Sequence, residues 1–343
     1  MKSTVKTLLA AGAFAALATQ SLAPAQAQDE SYLLATAGTG GTYYPVGVAI
    51  ATLVSVRVQP TFGTAMSAIT SAGSGENIRL LREDEAQFAI LQGLFGAYAA
   101  TGEGPLADDG PQDNLRSVSM LWQNVEHFAI RSDYVDSGTI DDLIAMQDHG
   151  FAIGARNSGT EGSNRQILSG LGVEDPDTHF AVAYLGYSPS VDAFQNGTID
   201  AVNPAAGPPV GAYTRLAAAV GDDVTLLNFT DDQVTAANGP YTGLWTSYTI
   251  PSGTYPNQDD DVTTIAQPNF LAVDADVPEE AVYQITKAMY ENLPFLQNIH
   301  PATNAMSLDA AIVGLPLPLH PGAIRYYEEA GLEIPDNLRP PAE

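Results

Sequence analysis

The stretch Tyr32-Leu33-Leu34-Ala35-Thr36-Ala37-Gly38-Thr39-Gly40-Gly41-Thr42-Tyr43-Tyr44-Pro45 decides the fold class. Tyr32 to Ala37 is a short apolar run of strand length. Gly38 to Gly41 turn the chain. Pro45 then falls in a first helical turn, where its missing N–H costs nothing. Val46, Ile50, Leu53 and Val54 follow on one helical face. The unit repeats: a strand over Met66 to Thr70, a small-residue turn at Ala72-Gly73-Ser74-Gly75, and a helix carrying Ile78 and Leu81. Phe88 to Leu91 reads as a third strand. Strand, turn and helix in alternation predict a parallel sheet with helices on its faces.

The pattern restarts after Val118 to Trp122 and the strand-like His127 to Arg131. Asp141-Asp142-Leu143 begins a short helix, Phe151 to Gly154 is a strand, and Asn157-Ser158-Gly159-Thr160 is its turn. A helix with Ile167, Leu168 and Leu171 follows, closed by Gly170 or Gly172. Phe180 to Tyr184 and Ile199 to Val202 are further strands, and Asn203 to Pro209 turns into another helix. Glu279 to Asn292 and Pro321 to Gly331 are later helices, and 101–113 and 251–261 are surface loops. Two such series predict an α/β chain of two lobes, each a mostly parallel sheet flanked by helices. The expected division is residues 28–128 plus about 265–343 in lobe 1 and 129–264 in lobe 2.

The N-terminus reads as an address. Lys2 and Lys6 form a positive start, Leu8 to Ala18 an apolar run too short to span a bilayer, and Ala25-Gln26-Ala27 a small-x-small cleavage site. Residues 1–27 are therefore expected to be a cleaved signal peptide and the mature protein to be periplasmic. The whole chain holds 40 Asp+Glu against 13 Lys+Arg, a net charge of −27, which leaves little basic surface for DNA or RNA. With no cysteine, disulfides, zinc ribbons and thiol catalysis are excluded. Hydrophobic residues at 45% suffice for packed cores. The acids are scattered, which favours adaptation to a salt-rich habitat over a local acidic patch.

Four turns share one design: Gly38–Tyr44, Ala72–Asn77, Asn157–Glu161 and Asn203–Pro209. Each ends a strand and starts a helix, whose unpaired N–H groups and partial positive charge suit a carboxylate or phosphate. Ligands of open α/β sheets sit outside the carboxyl ends of the strands, where such turns lie. Ser158-Gly159-Thr160-Glu161 also reads as a plain capping box. Tyr43, Tyr44, Tyr98, Tyr184, Tyr187 and Trp245 are candidates for a cleft wall or for the core. Arg156, beside the third turn, is placed to grip a carboxylate bidentately or to pair with surface acid. No Walker A sequence, complete Gly-x-Gly-x-x-Gly after a strand, or Gly-x-Ser-x-Gly elbow occurs, and the five histidines have no metal-ligand spacing. No catalytic residue, metal or cofactor is expected.

Gly38-Thr39-Gly40-Gly41-Thr42-Tyr43-Tyr44-Pro45, then Gly73-Ser74-Gly75-Glu76-Asn77-Ile78-Arg79-Leu80-Leu81, resembles the TAXI family of TRAP-transporter substrate-binding proteins. So do Ser158-Gly159-Thr160-Glu161, Gly197-Thr198-Ile199-Asp200-Ala201, and Pro318-Leu319-His320-Pro321-Gly322-Ala323 with Arg325-Tyr326-Tyr327. The resemblance implies a two-lobed periplasmic-binding-protein-like fold of the class II type that closes over a small organic acid, a dicarboxylate such as glutamate or 2-oxoglutarate. It implies delivery to a TRAP membrane permease of small and large subunits, separate or fused, driven by an ion gradient. By position it implies ligand contacts from Thr42, Tyr43, Ser74, Asn77, Gln92, Ser158, Gly159 and Thr160, and more weakly from Asn203 and Gly207. Gln92-Gly93-Leu94 stands where relatives often have Gln-Ser-Asp, and Arg156-Asn157 where they have Pro-Gly. A receptor for an ABC importer, a sensor's receptor and a secreted α/β enzyme are the alternatives.

Overall fold

A computed structural model describes residues 30–341. The signal peptide expected over residues 1–27 lies outside them. The strands, numbered in chain order, are β1 (Glu30–Ala35), β2 (Thr64–Ile69), β3 (Phe88–Gln92), β4 (Leu115–Val125), β5 (Ala129–Arg131), β6 (Gly150–Ala152), β7 (Ala181–Ala183), β8 (Ala201–Val202), β9 (Val224–Leu226), β10 (Thr246–Ile250) and β11 (Val262–Asp274). They form two sheets, one at the heart of each lobe.

The first sheet runs β10-β11-β3-β1-β2, with β4 along the other edge of β11. β1 is parallel to β2 and β3, and β11 is antiparallel to β3, β4 and β10. Phe88, Ala89, Ile90 and Leu91 of β3 are all fully buried, because this central strand is covered on both faces and so reads as a continuous apolar run. The helix Tyr43–Arg57 buries Val46, Ile50 and Val54 in this core, and the helix Glu279–Glu291 buries Val282, Ile285 and Met289.

The second sheet runs β7-β6-β8-β5-β9. β6 is parallel to β7 and β8, and β5 is antiparallel to β8 and β9. Val191 and Phe194 from the helix Tyr187–Gln195 and Leu216 from the helix Gly211–Val220 pack with Ala152 and Val202 on one side. Helix Gly159–Gly170 contributes Ile167 and Leu168 to a core with Phe151 and Ile153.

The chain passes between lobes at Glu126-His127-Phe128, where β4 gives way to β5, and again through the β10–β11 hairpin. Residues 246–250, expected in lobe 2, hydrogen-bond into the first sheet as β10, while Ile250 and Val262 pack in the same core as Val191 and Phe194. The cause is strand length: the 13 residues of β11 span roughly 40 Å, enough to reach from one lobe into the other. Among the described residues no helix is long and apolar enough to cross a membrane.

Candidate functional site

A cavity of about 230 Å³ lies between the lobes. The first lobe lines it with residues 37–43 and 71–74, Gln92 and Asn124; the second supplies Ala155, residues 158–160 and 186–189, Ala205 and Ala206. No Lys, Arg, His, Asp or Glu is in that lining.

Four helices of at least nine residues begin at the cavity wall: Tyr43–Arg57, Ser74–Arg82, Gly159–Gly170 and Tyr187–Gln195. Two come from each lobe. At Thr42, Gly73 and Gly186, the positions preceding three of them, no side chain caps the helix. Thr42 instead donates its hydroxyl to the Gly207 carbonyl at 2.9 Å, tying the first lobe to the second. Ser158 does cap, accepting the Glu161 N–H at 3.0 Å. Gly73 has φ 122° and ψ −153°, a conformation open in practice to glycine alone, and this turns the chain so that the helix Ser74–Arg82 starts at the cavity.

The polar side chains of the wall are held by one another. Tyr43 donates its hydroxyl to Asn269 Oδ1 at 2.5 Å, and its ring meets Trp122 edge-on. The Tyr187 hydroxyl donates to the Ala205 carbonyl, so the Thr160 hydroxyl, 2.7 Å away, donates to the tyrosine oxygen. Burial pushes both phenols upward, Tyr43 well above its usual range, so both stay neutral donors. Gln92 accepts from Ser163 at 3.2 Å through Oε1, and Ser163 in turn accepts from Gln267 at 2.8 Å.

Below this wall, at the passage between lobes, sit two fully buried titratable groups. The Glu126 carboxylate accepts from Asn203 Nδ2 at 2.8 Å and Trp245 Nε1 at 3.3 Å. Burial pushes its pKa up to about 7 against these hydrogen bonds. The His127 ring donates from Nδ1 to the Val125 carbonyl at 2.8 Å, since a carbonyl only accepts, which leaves Nε2 to accept from the Tyr255 hydroxyl at 2.7 Å. Burial pulls its pKa down to about 4.

Of the residues named from sequence, Thr42, Tyr43, Ser74, Gln92, Ser158, Gly159 and Thr160 share this cavity. Asn77 lies behind it, its Nδ2 donating to the carbonyls of Thr36 at 2.8 Å and Ile90 at 2.9 Å, where it ties two strands to a helix. Asn203 faces Glu126, Asn164 and the His127 N–H, and Gly207 offers its carbonyl to Thr42. Arg156 is not in the lining either. Its guanidinium lies 3.6 Å from the centre of the Tyr184 ring, a cation–π contact that draws it away from the cavity. The turn at 203–209 thus contributes only Ala205 and Ala206, and Gly186-Tyr187-Ser188 takes the place of a fourth turn. That turn carried a signal in sequence: a strand over Phe180 to Tyr184, one glycine at 186, and Pro189 in the next helical turn. Ser71 and Asn124 had none.

A family model described as the NMT1-like family matches residues 34–331. The chain belongs to the NMT1-like family. Solved structures give the fold of this NMT1-like chain independently. One is a Xanthomonas citri protein solved bound to ATP, 12% identical, covering 88% of this chain and 95% of that one, with a TM-score of 0.50. Another is the binding-protein component of a phosphonate ABC transporter from Pseudomonas aeruginosa, 10% identical, covering 79% and 78%, with a TM-score of 0.50. The fold is the two-lobed, periplasmic-binding-protein-like α/β fold expected from the sequence.

Proposed function

We propose that this NMT1-like protein is an extracytoplasmic solute receptor of the TAXI type, which captures a small dicarboxylate between its lobes and hands it to an ion-gradient-driven TRAP permease. One observation carries the ligand class: four helix N-termini, two per lobe, converge on a cavity whose lining has no ionised side chain. Each N-terminus is worth about half a positive charge, and the Glu76 and Glu161 carboxylates in the first turns of two of them offset part of that field while leaving the cavity side positive. A dianion with one carboxylate against each pair matches that field, and the side-chain amides of Gln92 and Asn124 supply further N–H donors, the buried Asn124 Nδ2 having no partner in the protein. A cationic solute would meet the positive ends of four dipoles with no carboxylate in the lining.

The division of labour follows from the layout. Each lobe presents half of the donors, so a ligand bound to one lobe is only half satisfied until the other closes over it. Closure removes water, which strengthens the remaining electrostatic contacts. The fold itself does not select the permease; the TRAP assignment rests on the resemblance at Gly38 to Pro45, Gly73 to Leu81 and Ser158 to Glu161.

The test is a thermal-shift and calorimetric panel of 2-oxoglutarate, L-glutamate, succinate, L-arginine and a C5 monocarboxylate. A dicarboxylate at ~100 times its Kd adds about 2.7 kcal/mol to the folded state, and it should be recovered unchanged. Binding of arginine alone, or chemical turnover of a hit, would reject the reading. Uptake in vesicles that carry the protein's cognate permease should follow an imposed ion gradient and not ATP; ATP dependence would replace the TRAP assignment by an ABC importer.

A further inference from the structure

We infer that Gly162, a residue outside the ligand cavity, sets how far the two lobes close, and that the absent side chain there is a requirement of tight binding. The inference rests on the receptor reading above. It begins with the contacts that join the lobes. The helix Gly159–Gly170 of the second lobe lays its first turns on the first lobe. Gly159 and Gly162 lie three residues apart on that helix, Ser163 beside them, so all three share a face.

Each meets a first-lobe group with no room to spare. A Cβ on Gly159 would stand 2.4 Å from Gln92 Oε1 and 2.8 Å from Ser74 Oγ. A Cβ on Gly162 would stand 2.7 Å from Phe95 Cε2 and 2.8 Å from its Cζ. Ser163 donates to Gln92 at 3.2 Å. Across the same seam the Glu76 N–H donates to the Asn157 carbonyl at 3.0 Å, and a Cβ on Gly75 would lie 2.6 Å from that oxygen. Backbone therefore meets backbone and ring edge directly where the lobes touch.

Gly162 separates closure from ligand contact. It is absent from the cavity lining, whereas Gly159 and Ser74 are in it. Phe95 cannot give way easily: it is 2% exposed and packs edge-on against Tyr98 with ring centres 5.4 Å apart. A methyl at 162 must therefore push the helix off the first lobe. That retracts the helix N-terminus at Ser158 to Thr160 from the ligand without changing any atom that touches it. Opening the seam also stretches the Glu76–Asn157 and Ser163–Gln92 hydrogen bonds.

The experiment uses the natural absence of cysteine. Val56→Cys in the first lobe and Gln195→Cys in the second, both exposed, are spin-labelled, and the distance between them is measured by pulsed EPR with and without 2-oxoglutarate, L-glutamate or succinate. Affinities come from calorimetry on the unlabelled proteins. In the parent, a binding probe shortens the distance. In Gly162→Ala the shortened population is lost and affinity falls about tenfold or more, while circular dichroism stays that of the parent. Gly162→Ala with Phe95→Leu should recover closure and most of the affinity, which a general loss of helix stability would not allow. Equal distances and equal affinities in parent and Gly162→Ala overturn the closure role, as does failure of Phe95→Leu to rescue. A parent that neither binds nor shortens with any of the three probes overturns the receptor reading itself.

Discussion

At the scale of single residues, Arg156 and Glu126 separate appearance from role. Arg156 is a cation next to a helix start, yet its guanidinium stacks on Tyr184 and is absent from the cavity wall. Arg156→Ala should therefore leave affinity within about twofold and cost about 0.5–1 kcal/mol of stability, the worth of an exposed cation–π contact; calorimetry and urea unfolding of the two proteins decide it. A large loss of affinity would return Arg156 to the site. Thr42, Ser74 and Ser158 were legible because a polar residue at a glycine-rich helix start has a local reason to face a ligand. Asn77 and Asn203 look the same in sequence, but each is consumed by buried partners, and burial is a tertiary property. Glu126 and His127 gave no signal because their importance comes from the crossing between lobes. They should also set the pH profile. Glu126 holds its proton more tightly folded than unfolded, so its contribution to stability is full below about 4.5 and lost as pH rises through about 7. His127 runs the other way, with its contribution full above about 6.5 and lost as pH falls through about 4. Between about 4.5 and 6.5 the two slopes cancel. Glu126→Gln removes one of them, so its stability should rise with pH across that window relative to the parent. Denaturant unfolding from pH 4.5 to 8 reads this directly, and parallel curves for the two proteins would show that Glu126 stays charged and paid for in the fold.

At the scale of elements, the strand–turn–helix units were readable and the return path was not. β1, β2 and β3 with the helices Tyr43–Arg57 and Ser74–Arg82 follow from apolar runs broken by small-residue turns. β11, the strand that joins β3 to β4, did not, because Gln267, Pro268 and Asn269 interrupt its apolar pattern. The fold accommodates that proline beside a register shift in the ladder to β4, the setting in which a strand tolerates a missing N–H. The helices Gly93–Thr101 and Tyr187–Gln195 were hidden for related reasons. The first carries Gly93 and Gly96 because Pro268 and Pro316 press on it, and the second opens with Ser188-Pro189-Ser190, which reads as a turn. The helix Gly159–Gly170 supplies the prediction at this scale. Its cap is Ser158, and Ser158→Ala should destabilise the protein by about 1 kcal/mol through the lost bond to the Glu161 N–H. The same change frays the turn that faces the cavity, so affinity for a bound dicarboxylate should fall together with stability. Ser158→Asp keeps the cap but sets a carboxylate in a cavity lining that has none, so it should retain stability and lose binding. If Ser158→Asp binds as well as the parent, the cavity is not an anion site.

At the scale of the whole molecule, charge governs. Acids exceed bases by 27, and the arginines that do find acids sit mostly in exposed pairs, such as Arg325 with Glu280 at 2.7 Å and Arg339 with Glu328 at 2.8 Å. Exposed pairs of this kind contribute little, a median of about 0–1 kcal/mol each. Repulsion among the unpaired carboxylates is the larger effect, because each acts on many neighbours within a screening length. That length falls from about 30 Å at 0.01 M salt to about 3 Å at 1 M. Added NaCl weakens the surface pairs and the repulsion together, and with so large an excess of acid the relief of repulsion dominates. The melting temperature should therefore climb substantially from 0.01 to 1 M NaCl. The climb should be shallower in a variant with several exposed acids, such as Asp259, Asp260 and Asp222, changed to lysine. At the cavity two effects of salt oppose each other. Its positive field comes from helix ends, and part of the protein's negative field is felt there too, so salt should change ligand affinity far less than stability. A melting temperature that is flat or falls with salt in the parent would remove salt adaptation as the reason for the acidic surface, and would leave a partner or cation that reads a particular carboxylate cluster as its explanation.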